Sequence, residues 1–63
     1  MTIKEAMAFV YSTLGDVVLV ERDEDRNIFS SGAGHMVVIM DGDNGLYSPV
    51  FQTLEEAQAW LPQ

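Results

Sequence analysis

HMVVIMDGDNGLYSPVF, running from His35 to Phe51, reads as a β-hairpin, and the rest of the chain can be placed around it. His35–Met40 is a short apolar run rich in β-branched residues, a composition suited to a pleated, buried surface. Asp41–Gly45 is dense in turn formers. Its dipeptides Asp41-Gly42 and Asn44-Gly45 accept the positive φ of tight hairpin turns. Leu46–Phe51 supplies the return strand. Pro49 has no N–H to give to a ladder, which places that strand at a sheet edge.

Beyond the hairpin, Thr53-Leu54-Glu55-Glu56 is a capping box that opens a helix. Glu55 and Glu56 fall in its first turn, where the helix dipole favours anions. Leu54, Ala57, Trp60 and Leu61 share an arc wide enough to cover one face of a sheet, and Pro62 stops the helix. A second capping box, Thr2-Ile3-Lys4-Glu5, begins the chain. After it Ile3, Ala6, Met7, Val10 and Leu14 recur at three- and four-residue spacing, and Gly15 stands where a left-handed residue would end the turn. This spacing predicts a helix over 3–14.

Between that helix and the hairpin, Val17–Val20 is four apolar residues in a row, the pattern of a strand buried on both faces. Asp23–Asn27 is a polar turn, Ile28-Phe29 a short returning strand, and Ser30–Gly34 a small, flexible connection. The expected fold is a single two-layer α+β domain over residues 1–63: a helix, an antiparallel meander and a helix. The meander has four strands, or three if Ile28-Phe29 does not pair. With both helices on one face, the other face would show some of Val18, Val20, Val37 and Ile39 to water. Small chains relieve such exposure by dimerising. A strongly curled sheet, or helices on opposite faces, would remove the need.

An apolar fraction of 48% is too high for a disordered tail. The chain has no cysteine, hence no disulfide and no thiolate metal site, which fits a cytoplasmic protein. No run approaches the length of a membrane span, and the patterned N-terminus does not read as a signal peptide. Ten acidic residues face three basic ones, a net charge of −7. That balance opposes direct binding to nucleic acid or to an anionic membrane. It favours a basic protein surface as partner, although solubility alone would also account for it.

Four local patterns invite a chemical reading. Asp41-Gly42-Asp43-Asn44-Gly45 suggests a calcium loop, but Gly45, Leu46 and Gln52 stand where such a loop needs a ligand, a glycine and a bidentate glutamate. A hairpin turn accounts for the composition better. His35, the only histidine, has no second ligand at metal-binding spacing, and neither Ser30 nor Ser31 sits in a nucleophile elbow. A strand-end histidine with an ordinary hydrogen bond is the better reading. Ser30–Gly34 lacks the lysine, spacing and following helix of a phosphate-binding loop. The fourth pattern is acidic. Glu21, Asp23, Glu24 and Asp25 cluster at one turn, and Asp41 and Asp43 join them if both hairpin turns lie at one end of a meander, partly answered by Arg22 and Arg26.

In size, acidity and lack of catalytic equipment the chain is similar to small phage-encoded proteins that block host or defence machinery by occupying a basic surface. That similarity is one of composition and covers no motif. The charge itself leads to the expectation of a non-enzymatic interaction module with no catalytic residue, cofactor or metal, since an anionic patch steers association with a cationic groove and competes with phosphates for it. The expected partner-binding residues are Glu21, Asp23, Glu24, Asp25, Asp41 and Asp43, docking on a cationic site such as a nucleic-acid-binding groove of another protein. The alternative is a structural or assembly protein whose partner is itself, a homodimer held by a sheet face or an edge strand. An enzyme or metal-dependent binder using His35 with Asp41 and Asp43 ranks below both.

Overall fold

In a computed structural model, which describes residues 1–62, both capping boxes form. The Thr2 hydroxyl accepts from the Glu5 N–H at 3.1 Å, and the Glu5 carboxylate accepts from the Thr2 N–H at 2.9 Å. Helix α1 then runs over Ile3–Leu14, as its spacing predicts, and the Gly15 N–H closes it on the Tyr11 carbonyl with φ at 78°. Thr53 and Glu56 repeat the device for α2, Leu54–Ala59. Trp60 is already extended, so α2 ends before Pro62 has any part in stopping it.

Four strands lie between the helices: β1 (Val18–Asp23), β2 (Arg26–Ser31), β3 (Gly34–Asp41) and β4 (Asn44–Tyr47). They form one antiparallel sheet in the order β1-β2-β3-β4. The α+β class, the meander and the flanking helices are as expected, and Ile28-Phe29 pairs within a longer strand. Burial explains the length of β2: Asn27, Ile28 and Ser30 are all covered once β3 lies beside them.

The two helices, however, take opposite faces. Met36 and Val38 pack beneath Ala6, Val10 and Leu14 of α1, whereas Val37 and Ile28 pack with Ala57 of α2. An uninterrupted apolar run on β3 presents side chains to both faces by strand alternation, and each set needs its own cover. The expectation of both helices on one face is thereby corrected. Val37 is fully buried and Ile39 half-buried, so neither is left open to water as that arrangement required.

A second correction concerns β1. Val17–Val20 reads as a strand buried on both faces, yet Val18 is 66% exposed, Leu19 49% and Val20 48%. As the first strand of the meander β1 has a neighbour on one side only, and the helices pack chiefly on β3 and β4. A valine-rich tetrapeptide has the same composition at the centre of a sheet as at its edge.

The return strand lies at the other edge, in keeping with Pro49, but regular pairing stops at Tyr47. The Ser48 N–H still reaches the Val37 carbonyl, and the Ser48 hydroxyl accepts from the Val37 N–H at 2.8 Å. The chain rejoins β3 at Phe51, which exchanges two backbone hydrogen bonds with His35 at 2.8 and 2.9 Å. This path passes close over Gly34, where a Cβ would stand 2.7 Å from Val50 Cγ1. Gly45 is not the turn glycine its dipeptide suggests. Gly42 takes the positive φ, 59°. Gly45 instead lies beneath α1, where a Cβ would come within 2.9 Å of Ile3 Cα and 3.0 Å of Ala6 Cβ.

Candidate functional site

The meander puts the β1–β2 and β3–β4 turns at the same end of the sheet, and specific hydrogen bonds hold both there. The Met40 N–H donates to the Asp25 carbonyl at 2.8 Å, tying the first turn to the end of β3, two residues before Gly42 opens the second turn. Asn27 is buried, and its Nδ2 donates to the carbonyls of Asp25 (3.2 Å) and Val38 (3.3 Å). At the second turn the Asp43 carbonyl accepts from the Ile3 N–H at 3.2 Å, and the Gly45 N–H donates to the Met1 carbonyl at 2.8 Å. The start of α1 thus fastens the β3–β4 turn, and Asn27 fastens the β1–β2 turn.

All six carboxylates singled out from the sequence belong to this end. Asp23, Glu24, Asp25, Asp41 and Asp43 are exposed, and Glu21 is half-buried where its Oε1 accepts from Gln58 Nε2 at 3.1 Å. Among the described residues no three His, Asp or Glu side chains form a metal-binding group. Asp41 and Asp43 flank Gly42 in a two-residue hairpin turn closed by the Asp41–Asn44 pair. The geometry there is that of a connection.

Arg26 departs from the role its position in the chain suggests. Rather than answering the neighbouring carboxylates, its guanidinium turns onto the α2 face and caps the last turn of that helix. Nη1 donates to the Trp60 carbonyl at 2.6 Å, and Nη2 to those of Ala57 (2.6 Å) and Gln58 (2.8 Å). Helix C-termini leave carbonyls without intrahelical partners, and α2 has no basic residue in its last turn. The only sequence signal is the lack of a basic residue in the last turn of α2, where the Trp60 N–H closes on the Ala57 carbonyl and Arg26 adds the side-chain donors. Arg22, exposed on β1, remains beside the acidic residues.

His35 and Ser30 are directly paired across β2 and β3, with Ser30 Oγ 2.5 Å from His35 Nδ1. Ser30 is buried and His35 half-buried, and no cavity opens among the described residues. The Ser30–Gly34 stretch splits between β2, a two-residue turn at Gly32-Ala33 and the start of β3, so a strand follows it rather than a helix. Among the described residues no helix is long and apolar enough to cross a membrane. Comparison with protein-family models, with curated proteins and with solved structures finds no match for the chain.

Proposed function

We propose that the protein is a non-enzymatic interaction module whose acidic end, Glu21, Asp23, Glu24, Asp25, Asp41 and Asp43, docks on a basic site of a partner protein and inhibits or regulates it. The observation that supports this reading is the gathering of both acidic turns at one end of the sheet while Arg26, the cation that follows the first turn, is committed to α2 carbonyls. A surface of one charge sign steers association with a groove of the other and competes there with phosphates.

The test is affinity capture from the source cell at low salt with identification by mass spectrometry, repeated with Glu21, Asp23, Glu24 and Asp25 all changed to Gln or Asn. The captured partner is expected to bind the neutralised protein with a slower association rate and a flatter dependence on salt. An unchanged rate and an unchanged salt slope would remove the acidic end from consideration.

A further inference from the structure

We propose that β1 is a strand-addition site for an extended segment of the partner, basic in its N-terminal half and apolar in its C-terminal half. The strand is an edge with no second neighbour, and its outer backbone groups therefore lack a ladder partner. Natural edges are blunted by proline, lysine, inward charge or a β-bulge. The irregularity at Val20 leaves Val18–Leu19 and Glu21–Asp23 as regularly paired segments on either side, and Val18–Val20 carries none of the other three devices. Its three apolar side chains are all at least 48% exposed. Large exposed apolar groups on an unpaired edge are the features that β-augmentation uses, the backbone providing affinity and alternate side chains selectivity.

The two halves of β1 define what would fit. Val18, Leu19 and Val20 are followed by Glu21, Arg22 and Asp23. Glu21 pairs with Ile28 and Asp23 with Arg26, which sets both carboxylates on the α2 face. An incoming antiparallel strand meets the Glu21–Asp23 half first, so cationic side chains belong in its N-terminal half and apolar ones after them.

A second copy is a poor match. Full-length antiparallel self-pairing sets Val18, Leu19 and Val20 opposite Asp23, Arg22 and Glu21, apolar against charged at every step. The register skips Val20 between Leu19 and Glu21, a bulge that any strand added to β1 must accommodate, so the charge mismatch and not the bulge sets a second copy apart. The net charge of −7 opposes self-association further. The proposal rests on the acidic-end reading for the sign of the partner's charge, and adds to it a backbone-mediated contact.

The probe is a synthetic peptide with lysines at alternate positions in its N-terminal half and valines in its C-terminal half, beside a peptide of reversed order. Titration into the full chain, followed by amide NMR and hydrogen exchange, is expected to slow exchange in β1 by about tenfold or more for the first peptide, as for amides that gain a ladder partner. Amides of β4, the opposite edge, should be unaffected. Changing Val18→Lys with Leu19→Lys places charge on exposed positions, so the fold should survive, and binding should weaken at least about tenfold. Equal binding of both peptides without protection of β1 would overturn strand addition while leaving the acidic end as a charge-only site. Failure of the first peptide to bind would also overturn it, the acidic reading then standing or falling on the capture experiment. A free protein that self-associates with β1 protected, and becomes monomeric on Val18→Lys with Leu19→Lys, would overturn it in favour of a second copy.

Discussion

Glu24 is the only non-glycine residue held at positive φ among those described, at 56°, in the turn between β1 and β2. A side chain in that region costs about 1–2 kcal/mol, while introducing glycine costs about 0.5–1 kcal/mol in chain entropy. Glu24→Gly should therefore stabilise the protein, by about 0.5–1 kcal/mol in urea unfolding. Glu24→Gln separates backbone from charge, since it removes the carboxylate and keeps the strain. If Glu24→Gln stabilises as much as Glu24→Gly, the gain is electrostatic. A second residue-level effect belongs to Glu5. Hydrogen bonding from the Thr2 backbone, then from its side chain, holds the Glu5 carboxyl below its ordinary value. A depressed carboxyl contributes stability that is present above its unfolded pKa and lost as pH falls through the folded one. In Thr2→Ala the Glu5 titration, followed by carboxyl NMR, should move up toward the ordinary glutamate value, and the acid limb of the stability curve should become shallower. A Glu5 midpoint that stays put would mean the Thr2 hydroxyl has no part in it.

Among the elements, α2 depends most on residues outside itself. It is six residues long, below the length at which an isolated helix is stable in water. Its capping box supplies the first turn and Arg26 the last, from a strand more than thirty residues earlier in the chain. Arg26→Met keeps much of the apolar stem but takes the guanidinium from three carbonyls, leaving those of Gln58 and Trp60 without that donor and that of Ala57 with the Trp60 N–H alone. Loss of such bonds costs about 1–3 kcal/mol. In so small a domain that is a large share of total stability. Exchange of the α2 amides should accelerate more than that of the α1 amides, because α1 is capped and packed without Arg26. Equal acceleration in both helices would show instead that Arg26 acts on the whole domain through β2.

At the scale of the molecule the chief influence is the charge of −7, gathered largely at one end. Like charges at that density repel, and salt screens them over a Debye length of about 8 Å at physiological ionic strength. The Tm should rise from low to physiological salt, and the rise should shrink when Glu21, Asp23, Glu24 and Asp25 are neutralised together. A Tm independent of salt in the unaltered protein would show that these carboxylates are spaced too widely to matter to stability.

Local chemistry was sufficient for much of the fold. The spacing of Ile3, Ala6, Val10 and Leu14 and the two capping boxes each act over a few residues, and each appears where the sequence placed it, while the hairpin turn forms at the Asp41-Gly42 dipeptide and not at Asn44-Gly45. The common end of the two acidic turns follows from meander topology alone, so the six candidate residues were legible as a group. What is decided by neighbours distant in the chain was not. Val17–Val20 has the composition of a central strand, and only the order of the sheet leaves Val18 and Leu19 exposed at its edge. Strand alternation on β3 was readable, but which helix would cover which face depends on the paths of two connections, and the helices took one each. Gly45 looked like a turn residue until α1 was packed against it. Arg26 looked like an ion-pair partner until the carbonyls of α2 arrived beside it. By itself the sequence determined the elements and their caps, because hydrogen bonds and periodicity over three or four residues are enough for that. The tertiary structure decided which surfaces those elements cover, because burial is a property of what packs against a residue and not of the residue.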